Sequence, residues 1–168
     1  MAHGWHTVFA YRLVMTSPRS KSLAALIAAA VAGGIVTAAS TGSSSATPLK
    51  LDGRPFRPEL ALTSARRAVG LMNRRPAPAD GMLFVFPNDT TGGFWMKNTL
   101  VPLTIAFFDA RGKRVRKLSM TPCRQESCPI YSPRRRYRFA LELRSSDTRP
   151  AAKLGPLAEL RRLARIAS

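Results

Sequence analysis

Between Gly70 and Leu103 the chain places its large apolar residues in short clusters rather than in one periodic stretch. Gly70-Leu71-Met72 comes first, then Gly81-Met82-Leu83-Phe84-Val85-Phe86, then Phe94-Trp95-Met96-Lys97-Asn98-Thr99, then Val101-Pro102-Leu103. Glycine, proline, asparagine and aspartate punctuate the gaps. Short apolar runs bounded by turn residues read as buried strands, not as helices. Met82–Phe86, Phe94–Met96 and Leu103–Phe108 are therefore predicted strands, with Pro102 breaking the second from the third. Pro87–Gly93 reads as a turn, and Asn73–Gly81 as a loop.

The flanks follow the same grammar. Phe56–Leu62 alternates as a strand, and a short extended segment is expected at Pro48–Leu51. Thr63 is a plausible N-cap for a helix over Ser64–Leu71, with Ala65, Ala68, Val69 and Leu71 available to pack. Asp109-Ala110-Arg111-Gly112 is a hairpin signal, with a return strand over Lys113–Met120. Tyr137–Leu143 alternates Tyr137, Phe139, Leu141 and Leu143 with Arg138, Ala140 and Glu142. That pattern predicts a half-buried strand whose Glu142 lies on the polar side and serves in a salt bridge. From Pro156, Leu157, Leu160, Leu163 and Ile166 fall at helical spacing with Arg161, Arg162 and Arg165 between them. A helix packed on the domain is expected, with a membrane-surface helix as the other reading. Together these elements predict a mainly β domain, a compact antiparallel sandwich or barrel with one or two short helices.

The chain has 168 residues, enough for one modest domain and an N-terminal addition. Residues 1–46 have the pattern of an export signal and linker. Arg12, Arg19 and Lys21 form a positive region without acidic residues, and Leu23–Val36 is an apolar run of 14 residues. Small residues follow at Val36-Thr37-Ala38 and Ser44-Ser45-Ala46. As a helix that run spans about 21 Å, short of the ~30 Å hydrocarbon core, so a cleaved signal is favoured over an uncleaved anchor. Translation from Met15 would shorten the basic region. Residues 47–168 are then a single exported domain, secreted, periplasmic or associated with the cell envelope, and a monomer.

Charge and composition narrow the chemistry. The whole chain carries 27 Lys and Arg against 9 Asp and Glu. Removing Arg12, Arg19 and Lys21 leaves 24 against the same 9, a net charge of +15. Such a field favours anionic partners, and export points to envelope components rather than nucleic acid. The same excess of arginine is also what a GC-rich genome produces. Both histidines, His3 and His6, precede residue 47. A histidine triad, a helical zinc-protease motif and most transition-metal sites are thereby removed from the domain. No glycine-rich phosphate loop, dinucleotide fingerprint or calcium loop occurs, and no cofactor is expected. Cys123 and Cys128, between Pro122 and Pro129, read as a disulfide in an oxidising compartment, worth roughly 2 kcal/mol by loop entropy. Their spacing fits neither a two-residue redox pair nor, without other soft ligands, a metal site.

In order along the chain, these motifs resemble those of the domain of unknown function 192 family. The resemblance runs from about Phe56 to Leu143. It includes Gly70-Leu71-Met72 with Arg74 or Arg75, Gly81–Phe84 with Phe86, Phe94–Thr99, Pro102-Leu103, Cys128-Pro129 with Tyr131, and Leu141-Glu142-Leu143. It implies a jelly-roll-like sandwich and brings no accepted activity. The family pattern has an aspartate where this chain has Thr104, and a Gly-Asp pair before a last strand that this chain lacks.

The candidate ligand site is Trp95, Lys97, Asn98 and Thr99, with Tyr131 nearby. On a strand, Trp95, Lys97 and Thr99 share one face. Indole beside ammonium and hydroxyl suits a sugar or an anionic ligand. The competing reading makes Trp95 and Met96 core and leaves Asn98 and Thr99 to tie down a turn. Arg134, Arg135 and Arg136 form the densest positive cluster, a weaker anion site or a solvated strand edge. The function these residues suggest is an envelope binding or accessory module for an anionic or carbohydrate-like ligand. A small hydrolase using Lys97 is one alternative and a pure protein-interaction module is another.

Overall fold

The computed structural model describes residues 48–168. The expected export signal lies outside the described residues. Within them the order is β1 (Lys50–Leu51), β2 (Arg54–Pro55), β3 (Glu59–Ala61), α1 (Ser64–Val69), β4 (Met82–Thr90), β5 (Leu103–Phe108), β6 (Arg114–Met120), β7 (Tyr137–Arg144), β8 (Leu154–Gly155) and α2 (Leu157–Ile166). The fold is mainly β, in two sheets ordered β2-β1-β8 and β3-β4-β7-β5-β6. Neither sheet closes into a barrel. All pairs are antiparallel except β3 and β4, which run parallel, Glu59 opposite Met82 and Ala61 opposite Phe84. A parallel pair needs a long crossover, and α1 with the loop after it supplies one.

The larger sheet is covered on both faces, and this decides which residues are buried. On one face Leu83, Val85, Ala106, Phe108, Phe139, Leu141 and Leu143 meet the smaller sheet through Leu49, Leu51 and Leu154. Leu160 and Leu163 of α2 close the same layer, so the C-terminal leucines pack on the domain. On the other face Met82, Phe84, Ile105, Phe107, Met120 and Ala140 lie under Leu71, Ala77 and Met96. Every residue of β5 is buried, and β7 is buried from Phe139 to Leu143. The half-buried strand expected at Tyr137–Leu143 is thus a central strand, and Glu142 is buried with it, outside any salt bridge among the described residues. Alternation marks a strand's two faces, but it does not say how many of them are covered.

Other expectations meet the structure in detail. Thr63 caps α1, its Oγ1 accepting the Arg66 N–H at 3.2 Å. No residue of the helix itself is buried, however, and Val69 is 53% exposed. The Asp109–Gly112 hairpin forms, with the Asp109 carboxylate accepting the N–H groups of Arg111 and Lys113. The expected turn at Pro87–Gly93 begins only after Thr90, because β4 continues past a shift in its pairing with β7. Phe94–Met96 is not a strand. Phe94 and the following Lys97 each make one isolated bridge, to Tyr131 and to Cys123. Gly92-Gly93 before it and the left-handed Asn98 (φ 55°) after it prevent a continuous ladder. Thr104 sits inside β5 opposite Ser119 and Leu143, and is buried.

Candidate functional site

The irregular Phe94–Thr99 segment is held by backbone bonds on both sides. Phe94 and Tyr131 exchange N–H···O bonds at 2.9 and 2.7 Å. Asn98 N–H reaches the Cys123 carbonyl at 3.3 Å, and the Asn98 carbonyl accepts from Asn73 N–H at 2.8 Å. Asn73 is also left-handed (φ 58°), so two asparagines, the residue type best suited to that conformation after glycine, staple the turn after α1 to this segment. The Cys123–Cys128 disulfide closes the loop beyond, and Lys97 Nζ donates to the Gln125 carbonyl inside it at 3.0 Å.

These ties sort the sequence-predicted residues. Lys97 and Asn98 serve the cysteine loop and the turn. Tyr131 positions Phe94, and its hydroxyl bonds Thr121 at 3.2 Å through both the N–H and Oγ1. Trp95 and Thr99 face a groove instead. Trp95 is 49% exposed, which overturns its reading as core, while Met96 is fully buried as expected. Arg134, Arg135 and Arg136 are exposed in the loop before β7, and no carboxylate among the described residues pairs with them.

The groove has two compartments sharing one wall of Arg67, Ala68, Phe94 and Trp95. The outer one, about 370 Å³, also meets Phe86, Gly92 and Tyr137. That volume lies in the range of small-molecule sites. The inner one, about 30 Å³, continues past Thr99 to Leu71, Met72, Phe84 and the carboxyl-bearing Glu142. A cavity of that size has room for about two water-sized groups. Gly70 permits this close approach: its φ is +50°, and a Cβ there would stand 3.1 Å from the Phe84 ring. A cleft of about 610 Å³ beside Leu100 and the cysteine loop is larger, but its polar side chains, Thr121, Arg124 and Gln125, all face solvent. Size therefore does not identify the site; a buried polar group directed into a cavity is the stronger mark.

Glu142 is that group. It lies in a row across the sheet with Met82 on one side and Ile105 on the other, and only 5% of it is exposed. Burial raises its pKa from 4.5 to about 8, so its carboxyl is largely uncharged at neutral pH. No side-chain polar atom among the described residues is both fully buried and unpaired. The Glu142 oxygens accordingly open onto the inner cavity. Arg67, the cation in the shared wall, is already occupied: it donates to the carbonyls of Leu62, Val85 and Ser168 and lies over the Phe86 ring. Burial lowers its pKa, yet it remains a cation. Tyr137 is likewise held, its hydroxyl donating to the Gly92 carbonyl at 2.9 Å and its pKa raised by burial. The polar functions left for a ligand are the Glu142 carboxyl and the Thr99 and Ser64 hydroxyls, set among aromatic and apolar walls. No group of carboxylates, cysteines or histidines among the described residues is placed to hold a metal ion.

Sequence reasoning assigned Glu142 to a salt bridge and missed Phe84, Met72 and Arg67 as site residues. One signal was present, a single glutamate in the otherwise apolar run Phe139-Ala140-Leu141-Glu142-Leu143.

Comparison with solved structures gives two similar proteins. One is a Sinorhizobium meliloti 1021 protein provisionally named a transcription regulator, 29% identical, with a TM-score of 0.56 over 64% of this chain and 90% of its own. The other is a protein of unknown function from Novosphingobium aromaticivorans DSM 12444, 27% identical, with a TM-score of 0.52 over 60% of this chain and 75% of its own. No curated protein matches the chain. Residues 47–152, which include every residue lining the groove, match the profile of DUF192, described as uncharacterized ACR, and the chain belongs to that family.

Proposed function

We propose that this protein is an exported binding module of the cell envelope that takes an uncharged, carbohydrate-like ligand in the groove between α1 and the Phe94–Thr99 segment. One observation carries the reading. Four segments far apart in sequence, Arg67–Met72, Phe84–Phe86, Phe94–Thr99 and Glu142, converge on a groove with an exposed tryptophan at its mouth and a buried carboxyl at its base. An exposed indole offers an apolar face for a sugar ring, and a few placed polar groups then fix orientation. An anionic ligand is disfavoured within the groove, because the wall's one cation already serves three carbonyls. Lys97, the cation on which an anionic ligand or a hydrolase would depend, is directed at Gln125. The disulfide is in keeping with an oxidising compartment, and no helix among the described residues is long and apolar enough to cross a membrane.

The test uses intrinsic fluorescence. The chain has two tryptophans, Trp5 and Trp95, so the full chain carrying Trp5→Phe reports on Trp95 alone. Titration with neutral oligosaccharides at millimolar concentration is expected to shift and saturate its emission. Lys97→Ala should keep the response within about threefold, and inorganic phosphate or a polyanion should not reproduce it. An emission that responds to no neutral sugar, or a response that disappears with Lys97→Ala in a folded protein, refutes the assignment.

A further inference from the structure

The two compartments differ in size and chemistry in a way that specifies more than a sugar. The outer groove is large enough for a pyranose ring and has Trp95 on its wall. The inner cavity is too small for a ring and has room for about two water-sized groups. Its walls are apolar at Leu71, Met72 and Phe84, and its buried polar side chains are Glu142 and Thr99. A methyl next to a hydrogen-bond acceptor is the fragment that matches this lining.

We propose that the inner cavity receives the acetamido group of an N-acetylated amino sugar, with its methyl among Leu71, Met72 and Phe84 and its carbonyl oxygen accepting a hydrogen bond from the Glu142 carboxyl. This rests on the reading of the groove as a carbohydrate site. A carboxyl in an apolar cavity that stays protonated is a hydrogen-bond donor, which a carboxylate is not. The charged groups around Glu142 leave that state undisturbed. From α1, Arg67 is engaged by three carbonyls. From β3, Glu59 occupies the same row of the sheet two strands away, about 10 Å by strand spacing. Its carboxylate is bound by Arg66 at 2.9 Å and Arg74 at 2.6 Å. The flanking strands β4 and β5 present Met82 and Ile105, and the Phe94–Thr99 segment presents Trp95 and Thr99. Burial is the cause that keeps the proton on Glu142, with no cation stabilising the ionised form.

The experiment compares N,N′,N″-triacetylchitotriose with cellotriose, which differs in having hydroxyls in place of the acetamido groups. Both are titrated into the full chain carrying Trp5→Phe at pH 6 and pH 9, with and without Glu142→Gln. Chitotriose is expected to bind at least tenfold more tightly than cellotriose at pH 6. With the acid titrating near pH 8, about a tenth of it is protonated at pH 9, so the advantage should fall about tenfold there. The amide of Glu142→Gln still donates but does not titrate, so this variant should hold its preference at both pH values. Equal binding of the two sugars at pH 6 overturns the acetamido assignment and leaves the groove reading standing. A fall at pH 9 that persists in Glu142→Gln, or no fall in the parent, overturns the role of Glu142. If neither sugar perturbs Trp95, the groove reading fails and this inference with it.

Discussion

Replacing Glu142 by glutamine should remove a pH dependence of folding stability that runs opposite to ordinary acid denaturation. The folded carboxyl titrates near pH 8, against 4.5 for a solvated glutamate. Between those values the native state holds a proton that the unfolded chain has released. Stability therefore falls as pH rises through this window. The contribution is fully present below about pH 4.5, declines by about 1.4 kcal/mol per pH unit, and levels off above about pH 8. The full span is about 5 kcal/mol, a large share of the 5–15 kcal/mol that holds a typical domain together. Urea unfolding of the parent and Glu142→Gln at pH 5 and pH 8 measures it, and the difference between the two proteins cancels the other titrating groups. The parent should lose about 4 kcal/mol more than the variant over that interval, at unchanged m-value. Glu59 works in the other direction. Its hydrogen bond from Arg74 holds its pKa low, so its contribution is kept above the normal carboxylate range and lost in acid. A difference between parent and variant below about 1 kcal/mol from pH 5 to 8 would show that the carboxyl is solvated, and would refute the description of the inner cavity.

Three further outcomes follow from the supports of the groove. Gly81→Ala should prevent folding or cost more than about 3 kcal/mol by urea titration, because its φ is +70° and a Cβ would fall 1.9 Å from the Glu142 carbonyl oxygen. Cys123→Ser with Cys128→Ser should cost about 2 kcal/mol by loop entropy and release the loop that holds Lys97 and Asn98, seen as faster hydrogen exchange at Asn98. Asp52→Ala should cost about 3 kcal/mol, since its carboxylate accepts the N–H groups of Ala151, Ala152 and Lys153 at 2.8 Å each and ties the β1–β2 turn to the chain before β8.

Where local chemistry decides the structure, the sequence was legible. The Leu103–Phe108 strand, the Asp109–Gly112 hairpin, the Thr63 cap and the close cysteine pair each depend on residues within a few positions of one another. The site was less so, because distant parts of the chain build it. Lys97 and Trp95 are two apart and would share a face on a strand. They diverge because Phe94 is bound to Tyr131 while Lys97 and Asn98 are bound to the cysteine loop, contacts that span 25 or more residues. The burial of Glu142 was hidden for a related reason. Its strand alternates correctly, but a second apolar layer formed by Leu71, Ala77 and Met96 covers the face on which a glutamate would meet water. Glycine was the more faithful guide, since Gly70 and Gly81 take positive φ where a Cβ would press on the Phe84 ring and on the Glu142 carbonyl.

That layer also offers a way to separate a site from a packing defect. An unpaired carboxyl opposite Met82 and Ile105 is a poor choice for a sheet interior: at pH 7 it forgoes about 3 kcal/mol relative to a side chain with no ionisation to suppress. Methionine is close to glutamate in length and adapts to irregular gaps. Glu142→Met should therefore be the more stable protein at pH 7, by about 2–4 kcal/mol in urea, with a lead that widens toward pH 8 and shrinks toward pH 5. If the cavity were only a defect, filling it would have no further consequence, and Trp95 would respond to ligand as before. A site that trades stability for recognition gives the opposite result, a hardier protein that no longer distinguishes chitotriose from cellotriose. A Glu142→Met protein that is more stable and keeps its preference would show that the carboxyl contributes nothing to binding, and a less stable one would show that the carboxyl has a partner within the fold.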